Sequence, residues 1–117
     1  MNKDFVTFRK CFEDYQQRFG LTGYKVYFKY EPLERSFAEI SSTQNDMVAT
    51  VRLNSKLPSK DTAFKDIKRS AKHEALHLLV QRLEHRARCR YVADEEIYEA
   101  VEELVNKLEG LIDGNGV

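Results

Sequence analysis

The stretch KHEALHLLVQRLEH, residues 72–85, decides how the rest of the chain is arranged. We predict that it lies in one continuous helix, against which a small sheet and a second helix pack. Within it, His73, Glu74 and His77 form the pattern H-E-x-x-H. Residues four apart lie one turn apart on the same helix face, so both imidazoles can contact one metal ion. Zinc binds histidine nitrogen and prefers four ligands, which makes this pattern a candidate zinc site.

The alternative is that two histidines stand four residues apart by coincidence in a charge-rich helix. His77 lies inside the apolar run ALHLLV, where a histidine is either a buried core residue or a ligand. A second histidine and a glutamate in the expected position favour a ligand. The Glu74 carboxylate, beside the first histidine, would reach a water in the open zinc position and accept its proton.

The composition indicates one globular domain over residues 1–117. Hydrophobic residues make up 42% and charged residues 32%, which is too apolar for a disordered chain. A net charge of zero disfavours a globally basic nucleic-acid binder. We find neither an apolar run long enough for a membrane span nor a signal peptide, and therefore expect a cytoplasmic protein. Cys11 and Cys89 are then two reduced thiols.

The segments before the motif predict a helix followed by a small sheet. Five aromatic residues recur at spacings of three and four along residues 5–19, which predicts a helix with an aromatic core face, ended by Gly20. Residues 24–30, 36–40 and 47–54 are predicted strands. The last two are close enough for a hairpin, so we expect a largely antiparallel sheet. Residues 47–54 would also be an edge strand to which an extended peptide adds.

Two antiparallel helices complete the predicted α+β fold. The motif helix begins after a cap at Asp61 or Thr62 and reaches about Arg88. The last helix begins after a cap at Asp94, and its tail is frayed from about residue 113.

The two C-terminal helices carry opposite charge. Residues 60–90 contain nine Lys or Arg, whereas residues 94–113 contain eight Asp or Glu, so the helices attract each other. Arg82, Arg86 and Arg90 form a basic stripe that would contact phosphates in a nucleic acid. Pairing with the acidic helix explains the stripe equally well, and no aromatic residues interleave with it, which argues against a nucleic-acid partner.

A zinc site needs a third protein ligand. His85 lies about 12 Å beyond His77 along a straight helix, which is too far. A carboxylate from the last helix remains, and Glu102 and Glu103 flank its apolar stripe on opposite sides. Periodicity does not choose between them. The other glutamates of this helix point further away or lie nearer its ends: Glu95, Glu96, Glu99 and Glu109.

The order of these elements resembles that of gluzincin-type zinc metallopeptidases. The likeness is greatest to minimal zincin-like proteins of phages and prophages, which are similar to the SprT-like group. It covers nearly the whole chain, through the segments FGLTGYKVYF, ATVRLN, HEALHLLV and RYVADEEI…VEELVNKLE. The resemblance implies a zincin-like fold, a zinc cofactor, a peptide or protein substrate, and a place in the cytoplasm of a bacterium or phage-infected host.

The resemblance also implies roles for single residues. His73 and His77 would be zinc ligands and Glu74 the catalytic base. Aligning VEELVNKLE places the third ligand on Glu102. Asn106 then stands where larger gluzincins carry a carboxylate bonded to a ligand histidine.

Peptide hydrolysis further needs a donor for the developing oxyanion, and Tyr98 and Tyr91 are the candidates. The chain is small and shows no separate substrate-specificity region, so the alternative is a zinc-bearing phage or prophage interaction protein with little turnover. A nucleic-acid-associated function is the third possibility. The sequence leaves the oligomeric state open.

Overall fold

The computed structural model describes residues 2–43, 46–57, 66–88 and 93–111. The elements are helix α1 (Lys3–Arg18), strands β1 (Lys25–Glu31), β2 (Ala38–Thr43) and β3 (Val48–Asn54), and helices α2 (Ile67–Arg88) and α3 (Asp94–Leu111). The predicted α+β class is confirmed. Among the described helices, none combines the length and apolarity needed to cross a membrane.

The sheet is mixed, whereas a largely antiparallel sheet was predicted. The strand order is β1-β3-β2. The β2–β3 pair is antiparallel, with Ala38 opposite Leu53, as expected for a hairpin. The β1–β3 pair is parallel, with Lys25 opposite Val48. A parallel pair needs a crossover connection, and here the connection contains β2, which lies on the far side of β3.

Strand β3 is the central strand, so the prediction that residues 47–54 form an edge strand is wrong. Its inward-facing residues Ala49, Val51 and Leu53 are buried in the core, as their alternation predicted. An alternating pattern shows which face is buried but not how many neighbours a strand has. The edge strand beside α2 is β2.

Helix α1 covers the sheet with its aromatic face. Phe8, Phe12 and Tyr15 are buried there, and Phe12 meets Phe28 of β1 edge-on at a centroid distance of 5.5 Å. Gly20 follows the helix with φ of +71°, a conformation that glycine adopts without strain. The predicted aromatic face and the helix end at Gly20 are both confirmed.

Helix α2 is packed on two faces. Ala71, Ala75 and Leu78 belong to the main core with the sheet and α1. Leu76 and Val80 form a second cluster with α3. A third face of α2 therefore remains for polar residues, and it carries the H-E-x-x-H motif.

The start of α2 differs from the prediction. Asp61 and Thr62, the predicted caps, lie outside the described residues. In the structure, the Asp66 carboxylate accepts a hydrogen bond of 3.0 Å from the backbone N–H of Arg69, which caps a helix beginning at Ile67.

The start of α3 shifts by one residue. The backbone carbonyl of Ala93 accepts hydrogen bonds from the N–H groups of Glu96 and Ile97, so Ala93 occupies the cap position. Asp94, the predicted cap, is the first helical residue and accepts a hydrogen bond from Arg88 at 3.0 Å. The predicted frayed tail and Cys89 lie outside the described residues.

The buried side chain of Asn54, at the end of β3, holds the segment that leads into β2. Its amide nitrogen donates to the carbonyls of Leu33 and Ser36 at 3.1 and 2.8 Å. Its amide oxygen accepts from the N–H groups of Leu33 and Lys56 at 3.1 and 2.9 Å. One side chain thus satisfies four backbone groups and positions the edge strand beside α2.

We predict that Asn54→Ala destabilises the protein by roughly 2–3 kcal/mol, because it leaves part-buried backbone groups without partners. Urea unfolding measures the change. Asn106→Ala, at an exposed position on α3, is the control and should alter stability by less than about 0.5 kcal/mol. Equal effects of the two substitutions would contradict this role for Asn54.

Candidate metal centre

The polar face of α2 forms one wall of a cleft of about 560 Å³. Helix α3 forms the second wall, and residues 36–40, at the start of β2, form the third. The cleft is lined by His73, Glu74 and His77 from α2 and by Glu102 from α3. The motif residues therefore face an open space next to a sheet edge.

His73, His77 and Glu102 converge on one point. One ligand atom from each lies within 4.8 Å of the others, and they are the group among the described residues that is arranged to hold a metal ion. The Nε2 atoms of the two histidines are 3.2 Å apart. The Glu102 carboxylate lies 2.8 Å from His77 Nε2 and 3.8 Å from His73 Nε2.

The chemistry of this group fits zinc. Two imidazole nitrogens and one carboxylate oxygen are a ligand set that catalytic zinc uses, with the fourth position open. Glu102 Oε2 is buried and, despite its 2.8 Å approach to His77 Nε2, makes no hydrogen bond of acceptable geometry. A buried oxygen without a partner is costly, and a cation at this point would remove the cost. Burial also lowers the pKa of His77, which favours the neutral imidazole that binds metal.

The structure distinguishes the two glutamates that periodicity left equal. Glu103 is exposed, and its carboxylate lies 2.9 Å from Lys107 Nζ on the same helix. Glu102 is the one that faces the histidines. His85, which the sequence excluded on distance, is not in the group; its Nε2 lies 2.8 Å from Gln81 Nε2.

Glu74 is buried beside the three candidate ligands. Only 6% of the residue is exposed. Burial, followed by the negative charges of Glu102, Glu39 and Glu109, raises its pKa from 4.5 to about 8. Without a cation, therefore, Glu74 is largely protonated at neutral pH. A positive charge between Glu74 and Glu102 would lower this pKa and leave a carboxylate able to accept a proton.

Glu109 is a site residue that the sequence reasoning missed. It was set aside as pointing further away or lying nearer the helix ends; it does lie in the last turn of α3 and is outside the group of candidate ligands, but its side chain reaches one of them. Its Oε2 lies 2.7 Å from His73 Nδ1, and only 6% of the residue is exposed. Arg69 Nε donates to Glu109 Oε1, and Lys72 Nζ donates to the Glu109 backbone carbonyl at 2.9 Å. Burial raises the Glu109 pKa, but the hydrogen bonds from Arg69 and His73 outweigh it, and the net pKa is below the ordinary value.

A sequence signal for Glu109 exists. Residues 102 and 109 are seven apart, two helical turns, and lie on almost the same face. In an antiparallel pair, a residue later in α3 meets a residue earlier in α2. If Glu102 lies level with His77, then Glu109 lies level with about residue 70, where its side chain can reach both Arg69 and His73.

The remaining predicted positions divide between the cleft and the undescribed part of the chain. Asn106 lines the cleft but is exposed, and no described hydrogen bond joins it to either histidine. Tyr98 also lines the cleft and is 59% exposed. Tyr91 lies outside the described residues. The side chains of the basic stripe, Arg82, Arg86 and Arg90, are outside the described part as well.

Comparison of the chain with protein-family models, curated proteins and solved structures finds no match. The likeness to zincin-like metallopeptidases therefore stays a prediction from the motif and the order of elements.

We predict that His73→Ala, His77→Ala and Glu102→Gln each lose stoichiometric zinc binding, because each removes one of three protein ligands. Glu103→Gln, one residue along the same helix, should bind zinc as the native chain does. Metal analysis and chelator competition measure both. Native-like zinc affinity in the two histidine variants would make these residues core histidines instead of ligands.

A second prediction concerns pH. The Glu74 pKa is about 8 in the folded protein against an ordinary 4.5. Between these values the folded state holds a proton that the unfolded state releases, so the stability of metal-free protein falls as pH rises, by at most about 1.4 kcal/mol per pH unit. Glu74→Gln should remove this contribution. Urea unfolding with a chelator at pH 5 to 8 tests it, and parallel pH profiles for the two proteins would refute it.

Proposed function

We propose that this chain is a zinc-dependent peptidase with Glu74 as its general base. The observation that carries the proposal is the arrangement of three candidate ligands around one point with a buried glutamate beside them. His73, His77 and Glu102 supply the nitrogen and oxygen donors. The cleft leaves room next to them for a water and a substrate.

Zinc bound by these ligands would act as a Lewis acid toward the scissile carbonyl and lower the pKa of an attacking water. Beside zinc held by these residues, Glu74 would accept a proton from the water and deliver it to the leaving amine. The surroundings of Glu74 support this role, because burial and the neighbouring carboxylates raise its pKa, and a cation held by the three candidate ligands would lower it again toward the neutral range in which a general base is effective.

The substrate-binding edge in this proposal is β2, not β3. A peptide backbone pairs with an exposed strand edge, and β3 has neighbours on both sides. Among the described strands, β2 pairs with β3 alone, and its first residues line the cleft. A peptide added there would pass the carboxylate of Glu74 and the candidate ligands.

Among the described residues, Tyr98 is the tyrosine that lines the cleft, and its hydroxyl is the proposed donor for the oxyanion. It stands one turn before Glu102 on α3, lines the cleft and is largely exposed, so its hydroxyl is accessible to a substrate. A donor aimed at the developing charge typically contributes about 10²–10³ in kcat.

We predict that Glu74→Gln retains zinc and loses peptidase activity on a denatured protein or a peptide mixture. Glutamine is nearly isosteric and leaves the three candidate ligands in place, but an amide cannot accept the proton. Zinc content and turnover are measured on the same preparations, with Glu103→Gln as the control that should keep both. If the native chain binds zinc and neither protein cleaves any substrate, the chain is a zinc-binding protein without peptidase activity.

A further inference from the structure

A buried carboxylate links α3 to the back of one candidate ligand. Glu109 Oε2 contacts His73 at Nδ1, the ring nitrogen opposite the one that faces His77 and Glu102. The contact is short, at 2.7 Å, and Glu109 is almost wholly buried. A buried carboxylate in a hydrogen-bonded chain of this kind has a fixed orientation.

We propose that Glu109 is a positioning residue, which sets the tautomer and the ring orientation of His73, and that Arg69 holds Glu109 in place. The inference rests on the proposed metal site. An ionised carboxylate only accepts hydrogen bonds, so the proton of a neutral His73 lies on Nδ1. Nε2 then carries the lone pair, and it is Nε2 that faces His77 and Glu102.

The choice of a carboxylate matters because an amide both donates and accepts. The residue predicted at this place, Asn106, would not select a tautomer, and no described hydrogen bond joins it to the ring. Glu109, seven residues after Glu102, is the residue that contacts the ring. A carboxylate behind a metal-binding histidine also raises the basicity of the ring and so its affinity for the metal.

Arg69 binds Glu109 from the solvent side. Its side chain is 69% exposed, yet Nε contacts the Glu109 oxygen that His73 does not use. Lys72 binds the backbone carbonyl of the same residue at 2.9 Å. Two cations of α2 thus anchor the carboxyl-terminal half of α3 at the histidine, and the two oxygens of Glu109 have separate partners.

The first test reads the tautomer directly in metal-free protein. Nitrogen-15 NMR of the imidazoles should show His73 protonated at Nδ1 in the native chain. Glu109→Leu removes the acceptor and should shift the ring toward the other tautomer, whereas Glu109→Gln keeps one acceptor oxygen and should give an intermediate result. Glu103→Gln, on the exposed face of the same helix, is the matched control and should match the native spectrum.

The second test measures the metal itself. Glu109→Leu should weaken Zn²⁺ binding about 10- to 100-fold, as expected for loss of a residue behind a ligand, and should change the visible spectrum of bound Co²⁺. Arg69→Gln should weaken binding less, in the same direction. Arg69 is exposed, so this variant tests the proposal even if Glu109→Leu fails to fold.

The outcomes separate this inference from the proposed function. Unchanged zinc affinity, Co²⁺ spectrum and His73 tautomer in the Glu109 and Arg69 variants would overturn the positioning role while leaving the metal site intact. A native chain that binds no zinc would overturn the metal site. A native His73 tautomer protonated at Nε2 would refute the positioning role whether or not zinc binds.

Discussion

The antiparallel packing of α2 against α3 is the interaction on which the candidate site depends. Leu76 and Val80 of α2 enclose Val105 of α3 in a small buried cluster. Because the helices run in opposite directions, a step toward the start of α2 corresponds to a step toward the end of α3. This packing brings His77 to Glu102 and His73 to Glu109. Sliding either helix by one turn would break both.

The α2–α3 interface combines few apolar contacts with several buried charges. Glu74 and Glu109 are among the few charged residues that are buried in the described chain. Glu109 is balanced by Arg69 and His73, whereas Glu74 lies among like charges. Buried like charges destabilise a fold unless a cation or a proton intervenes. A cation at the candidate site would reduce this repulsion and would also join α2 to α3.

The main core provides the rigid support for this interface. The aromatic face of α1 and the inner face of β3 bury one side of α2, through Ala71, Ala75 and Leu78. Small residues at 71 and 75 allow the helix to lie close to its neighbours. The mixed sheet places β2 at the edge beside α2, and Asn54 fastens the segment before β2. The three walls of the cleft are therefore set by the same packed unit, which holds a site more precisely than loops would.

The sequence by itself determined which residues share a face of α1, of β3 and of the motif helix. Helical spacing put the aromatic residues of α1 on one side, alternation put Ala49, Val51 and Leu53 in the core, and the i, i+4 spacing put His73 and His77 together. These are properties of a single helix or strand, where residues close in sequence are close in space.

Only the tertiary structure decided what each face meets. Strand order made β3 central and β2 the edge, although both alternate in similar ways. The packing of α2 on α3 turned Glu102 and not Glu103 toward the histidines, and it brought Glu109 to His73. All three are glutamates on one helix, so residue type alone does not distinguish them. Periodicity gives the direction of a side chain about its own axis and contains no information on the rotation or sliding of one element against another. That relation is set by long-range packing between residues far apart in sequence, here the contact of Leu76 and Val80 with Val105.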